Sequence, residues 1–182
     1  AGKAQWREVF KQSDDVREVD AGHGFVYLRS ALNAPRFKVL RLKVPELNLS
    51  QAEILLPESE GVLRSISISK DALFVTRREG VNTSLLKITA GGNVGANGSA
   101  PVQKVSLPLE GNVAVIANPE HSELVVAISS WTQALRRYVV SASSAQFVRL
   151  NLAPPVEPVQ RVEIVSREVM VPSHDGVRVP VS

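Results

Sequence analysis

The sequence predicts an all-β fold, a partial β-propeller made of four-stranded antiparallel blades, on three observations. Short segments rich in valine, isoleucine and leucine are broken by Gly, Pro, Asn, Asp and Ser, the punctuation of strands and turns. No window carries a convincing helical stripe. A unit of several short strands recurs about every 45 to 52 residues, a blade-like period.

The repeat is read element by element. Gly24-Phe25-Val26-Tyr27-Leu28-Arg29-Ser30 aligns with Asp71-Ala72-Leu73-Phe74-Val75-Thr76-Arg77, and again with Ser122-Glu123-Leu124-Val125-Val126-Ala127-Ile128. After each comes a polar turn and a second strand, over residues 37–44, 84–89 and 136–141. Each unit closes on an apolar strand running into proline: Ile54-Leu55-Leu56-Pro57, Val105-Ser106-Leu107-Pro108, and Val148-Arg149-Leu150 with Pro154 beyond. Ser65-Ile66-Ser67-Ile68-Ser69 alternates as a half-buried strand does. Phe25-Val26-Tyr27-Leu28 and Leu124-Val125-Val126-Ala127-Ile128 are apolar on both faces, which suits strands with a sheet on each side.

One twisted sheet cannot cover both of its apolar faces, and stacked blades can. A sandwich or irregular barrel competes, and the repeat favours blades. Residues 1–160 are therefore read as blades, about three plus an incomplete opening piece around residues 6–10. Residues 161–182 are read as a hairpin. Propellers close with about four to eight blades, so a partial ring would bare two apolar faces. Self-association through those faces is expected, or a longer natural chain.

Composition excludes several classes. With 182 residues, 44% hydrophobic and 21% charged, the chain suits one domain or two small ones. The formal charge is +3, and the basic residues are scattered, densest at Arg36, Lys38, Arg41 and Lys43. Aromatics make up 5%, too few for a basic surface interleaved with stacking rings, so solvated strand faces are expected and no nucleic acid partner. The absence of cysteine excludes disulfides, zinc ribbons and a thiol nucleophile. No apolar stretch approaches a membrane span, so no membrane partner is expected, and the compartment stays open between periplasm and cytoplasm.

Candidate chemistry resolves into turns. Ser173-His174-Asp175 holds the residue types of a hydrolytic triad, but consecutive strand residues point to opposite faces and a triad is assembled from separate elements. Asp175-Gly176 reads as a hairpin turn. A G-x-S-x-G elbow is absent, so no catalytic residue is assigned. Gly91-Gly92-Asn93-Val94-Gly95 lacks the lysine and hydroxyl of a phosphate loop and reads as an inter-strand loop, so no cofactor is expected. His23, His121 and His174 are far apart and imply no metal. Asp14-Asp15 reads as a loop acid pair. Asn48-Leu49-Ser50, Asn82-Thr83-Ser84 and Asn97-Gly98-Ser99 fit a glycosylation pattern too short to carry weight. Trp6 and Trp131 are expected to pack between blades, with a tunnel-facing, peptide-touching Trp131 as the alternative. Arg77, Arg78, Arg136 and Arg137 are expected in solvent, with a tunnel or domain interface as the alternative.

Four stretches carry a family resemblance. Asn33-Ala34-Pro35-Arg36-Phe37-Lys38-Val39-Leu40 resembles the prolyl oligopeptidase segment where a blade strand follows a turn. Lys70-Asp71-Ala72-Leu73-Phe74-Val75-Thr76-Arg77-Arg78-Glu79-Gly80 is similar to the matching stretch of the next blade. Ser129-Ser130-Trp131-Thr132 resembles an element of the last complete blade. Val171-Pro172-Ser173-His174-Asp175-Gly176-Val177-Arg178-Val179-Pro180 resembles the hairpin leading from propeller to peptidase domain. The resemblance implies the C-terminal part of a seven-bladed propeller capping an α/β-hydrolase domain in a serine peptidase (peptidase S9). There the propeller admits short peptides and excludes folded proteins. The hydrolase domain and its triad would lie beyond Ser182, so this chain alone is expected to be inactive, with peptide substrate as partner of the absent domain. A stand-alone propeller-type module binding a protein or peptide is the alternative.

Overall fold

In the computed structural model, the structure describes residues 6–92, 100–141, 146–152 and 164–181. Among them lie three four-stranded antiparallel sheets and a two-stranded one. Blade 1 comprises β1 (Val16–Gly22), β2 (Phe25–Ser30), β3 (Lys38–Lys43) and β4 (Glu53–Leu56). Blade 2 comprises β5 (Val62–Ile68), β6 (Ala72–Glu79), β7 (Asn82–Thr89) and β8 (Val102–Val105). Blade 3 comprises β9 (Asn112–Ile116), β10 (Glu123–Ser129), β11 (Arg136–Ser141) and β12 (Phe147–Leu150). The C-terminal hairpin pairs β13 (Val169–Pro172) with β14 (Arg178–Val181). Within each blade the strands are paired in sequence order, the meander that short connections impose.

The three aligned repeats are the second strands β2, β6 and β10, and the strands that follow them are β3, β7 and β11. Two boundaries differ from the sequence reading. The closing strand of blade 2 is Val102–Val105, because Leu107 and Leu109 pack against the blade 3 core instead of pairing with β7. Trp6 to Phe10 supply no strand of an opening blade. Val9 and Phe10 instead lie with Leu47, Leu49 and Ala52 over Leu28, Leu40 and Leu42 on the outer face of blade 1.

Side-chain alternation explains how the blades stack. On β6, Leu73 and Val75 join a core with Tyr27, Val39 and Leu55 of blade 1. Ala72 and Phe74 point the other way, into a core with Val113, Val126, Ile128 and Tyr138 of blade 3. Blade 2 is thus covered by a sheet on each side. Burying each large aliphatic chain in these cores stabilises the fold by about 1.5–3 kcal/mol. Blades 1 and 3 depart from the same expectation. Blade 1 is covered outside by its own loops, not by a sheet. On blade 3, Ile116, Val125, Val139 and Val148 are paired across the four strands into one row, with Ile116 70% and Val148 57% exposed.

Polar bonds stitch neighbouring blades where the first strands approach one another. Asp20 accepts from the Ile68 amide at 2.8 Å, and a His23 ring nitrogen lies 2.9 Å from the Ser69 carbonyl oxygen. The Leu63 amide donates to the Arg36 carbonyl, the Lys70 amide to that of His121, and the Thr83 amide to that of Gly111. Gly111 has φ +147°, and a Cβ there would lie 2.2 Å from the Ser129 carbonyl oxygen. Only glycine allows that approach of backbone to backbone.

Gly111→Ala is expected to destabilise the chain by about 2–4 kcal/mol, from strain plus overpacking. A lowered urea midpoint checks this. An unchanged midpoint would contradict the close approach.

Candidate functional site

The turns after β2, β6 and β10 and the starts of β1, β5 and β9 fall at one end of the blades, the mouth end. Two neighbouring cavities open there and share Arg78. The smaller, about 710 Å³, is lined by residues 59–62 and 77–80 of blade 2. The larger, about 880 Å³, lies between blades 2 and 3 and is also lined by residues 164–166 and 168, ahead of the hairpin.

Local geometry aims the side chains. Along β5 and β6, Leu63 pairs with Arg77 and Ser65 with Thr76, so Arg64 is the extra residue of a bulge. A bulge redirects its side chain, and Arg64 stands exposed on the wall of the larger cavity. Arg17 occupies the corresponding bulge of β1, between Val16 and Glu18, and pairs with Asp15 at 2.5 Å. Asn112 opens β9 on the same cavity wall. Alignment of the first strands, Val16-Arg17-Glu18 with Leu63-Arg64-Ser65, is the sequence signal for this pair, and alignment on the second strands passes over it.

The four arginines singled out from sequence have separate fates. Arg77 pairs with Glu79 at 2.5 Å and its stem packs on Gly61, where a Cβ would lie 2.7 Å from Cγ. Arg78 donates through Nε to the Gly80 carbonyl at 2.9 Å and is otherwise unbonded among the described residues. Arg136 donates to Gln133 at 2.7 Å, and Arg137 is exposed. Neither tryptophan packs between blades. Trp6 is 98% exposed, and Trp131, at 78%, borders the larger cavity on a turn fixed by the Ser130 amide donating to the Gln133 carbonyl.

The apparent triad is a turn. The Ser173 amide donates to the Val177 carbonyl and Asp175 accepts from the Val177 amide at 3.1 Å, with Gly176 at φ +81°. Ser173 Oγ lies 3.3 Å from His174 Nδ1, a contact between neighbours in an exposed loop. Asp14 accepts from the Lys11 amide in a single 3-10 turn. Asn48 caps the short turn that follows it, accepting from the Ser50 amide. Among the described residues no three His, Asp or Glu gather as metal ligands. Asn93, Val94, Gly95 and the Asn97-Gly98-Ser99 pattern lie outside the described residues, as do Pro154, residues 161–163 and Ser182.

One member of the basic stretch is not a solvated strand residue. Arg41 is 6% exposed, donates to Glu53 at 2.5 and 2.8 Å and to the Gly92 carbonyl at 2.9 Å, and lies 4.3 Å over the Phe25 ring. It thereby ties blade 1 to the connection after β7. Arg29, nearer the mouth, pairs with Glu18 at 2.9 Å, lies 4.2 Å over Phe37 and reaches the Leu63 carbonyl of blade 2 at 3.5 Å. Tyr27, opposite Arg41 in the ladder, is 1% exposed, and its hydroxyl has no partner of ordinary hydrogen-bond geometry. Burial pushes its phenol above the usual value of 10.0, and the Arg41 charge pulls the other way.

This geometry defines a segment of a β-propeller with a chemically mixed mouth and no catalytic constellation among its described residues. Residues 1–148 match the prolyl oligopeptidase N-terminal β-propeller domain, and the chain belongs to that family. Solved structures agree on the fold. One, from a study of two prolyl endopeptidases and the role of inter-domain dynamics in catalysis and specificity, has a TM-score of 0.71 at 22% identity, over 90% of this chain and 23% of that one. Prolyl oligopeptidase B from Galerina marginata in its apo form gives 0.67 at 16% identity, over 97% of this chain and 25% of that one. The same enzyme as a D661A mutant bound to a 25mer macrocyclization substrate gives 0.70 at 16% identity, over 97% and 24%. The chain thus spans about a quarter of these relatives. No curated protein matches it.

Two tests follow from the Arg41 and Tyr27 environment. Because the folded state favours the neutral phenol, its contribution is present below about pH 10 and is lost as pH rises through the folded value. Tyr27→Phe is expected to flatten the alkaline fall in stability and to change neutral stability by no more than about 1 kcal/mol, since the hydroxyl it removes has only loosely aligned neighbours in Arg41 and the Gly91 backbone. Urea titrations at about pH 8 and about pH 11 read both. Arg41→Met should cost about 1–3 kcal/mol, because the stacking and the bond to Gly92 are lost while Glu53 remains half in water.

Proposed function

We propose that this chain is the substrate-gating, non-catalytic part of a prolyl-oligopeptidase-like serine peptidase, drawn from the C-terminal portion of its propeller. The observation that carries the reading is the path of the chain past blade 3. Residues 164–166 and 168 border the mouth between blades 2 and 3, and the hairpin beyond them leaves Val169, Met170, Val171, Val179 and Val181 exposed. A two-stranded hairpin with apolar residues on both faces is marginal in water, which suits the start of a further domain that would cover it. The resemblance of that hairpin to the propeller–peptidase junction, and membership in the propeller family, support an α/β-hydrolase domain on this side. In that arrangement the propeller limits access by size and the hydrolase domain cleaves short peptides.

The apolar row Ile116, Val125, Val139 and Val148 would seat a neighbouring blade in the complete ring. In the isolated chain it is the surface through which copies associate. Light scattering should then show dimers or larger species that dissociate in Val148→Lys, and a monomer at high concentration would remove this part of the reading.

The isolated 182 residues are expected to release no chromophore from succinyl-Gly-Pro nitroanilide. Joined to their natural downstream sequence, they should cleave short proline peptides and spare folded proteins. Turnover by the isolated chain, or a natural downstream sequence with no G-x-S-x-G elbow, would overturn the proposal and favour a stand-alone binding module.

A further inference from the structure

The larger mouth cavity has the features of a binding site in its own right. Its volume of about 880 Å³ lies within the usual range for small ligands, about 300–1,000 Å³. One wall is tied down, because the Gly111 carbonyl accepts from the Thr83 amide and its backbone approaches the Ser129 carbonyl too closely for any side chain. An exposed tryptophan on a hydrogen-bonded turn is a stiff apolar platform, the kind of residue that anchors bound chains at small entropic cost.

The charges on its wall narrow the ligand. Arg64 makes no side-chain bond among the described residues, and Arg78 uses only Nε. Two guanidinium forks are therefore free for a planar anion. Glu110 and Glu168 stand on the same wall. Glu168 lies over Gly80, where an added Cβ would stand 3.2 Å from Oε2. Two glutamates offset two arginines, which disfavours a multiply charged anion such as phosphate. The balance suits one carboxylate carried on a peptide whose backbone N–H groups the glutamates accept.

We infer that this cavity binds a short peptide segment bearing a single carboxylate, with the carboxylate on Arg64 and Arg78 and an apolar side chain on Trp131. The site is built from blades 2 and 3 with residues 164–166 and 168. It shares the mouth with the proposed gating role, but its test needs no hydrolase domain, so a failure of binding here leaves the gating reading standing.

Trp131 provides the readout. In a Trp6→Phe background it is the remaining tryptophan of the two in the chain. Three acetylated probes are titrated against its fluorescence: Ala-Gly-Pro-Phe with a free C-terminus, the same peptide as its C-terminal amide, and an amidated peptide ending in glutamate. The free-acid peptide is expected to give a saturable change in the millimolar range or below. The plain amide should bind at least about fivefold more weakly, as should Arg64→Gln or Arg78→Gln with the free acid. Binding of the amidated glutamate peptide as tightly as the free acid assigns the carboxylate to an acidic side chain, and weaker binding assigns it to a peptide C-terminus. Either result upholds the carboxylate site. No saturable change up to solubility, equal binding of the plain amide, or arginine variants that bind like the parent would overturn the inference. Calorimetric titration covers a silent fluorophore, and circular dichroism shows that the variants are folded.

Discussion

A sheet whose central strand is apolar on both sides cannot be stable alone, and this constraint organises the molecule. On β6, residues facing one way pack into a core shared with blade 1, and those facing the other way into a core shared with blade 3. Blade 2 has no protective face of its own. The polar stitches between blades follow from the same packing, because stacked sheets bring strand ends close enough for Asp20 to reach the Ile68 amide and Gly111 to reach the Thr83 amide. Buried arginines complete the union. A guanidinium lies flat on an aromatic ring while its edge bonds a carboxylate, so Arg29 and Arg41 bring charge into the interface with partners already in place.

The two outer faces resolve that constraint differently. Blade 1 folds its own N-terminal segment and the residues after β3 over Leu28, Leu40 and Leu42. Blade 3 leaves a cross-strand apolar row in water. One outer face is thus covered by the chain's own loops and the other is open, in a chain that spans about a quarter of its structural relatives.

Stacking also creates the mouth. Strands and the blades they form are twisted, so blade ends splay and leave clefts lined by turns. There the family's propeller meets polar groups with few internal obligations: bulged Arg64, Arg78 with one bond spent, and Trp131 on a turn. The core tolerates no such freedom. These residues lie where binding costs the fold least, a division of labour common to rigid scaffolds and their loops.

The repeat and the strand content were legible in the sequence, because alternation and turn residues are local signals that survive without tertiary context. Asp175-Gly176 likewise announced a turn, since a left-handed residue after aspartate is a local requirement. The tertiary structure decided what lies between elements. Arg41 looked like any residue of a basic strand until Phe25, Glu53 and Gly92 converged on it. Trp131 and Trp6 looked like blade packing until their turns and termini carried them into solvent. The bare faces numbered two in the sequence, and one was covered by residues 9–10 and 47–52, because loop closure over a sheet leaves no periodic trace. The β-propeller blades could be read from one strand to the next; which blade faces are covered, and which arginines remain free at the mouth, required all three sheets in place.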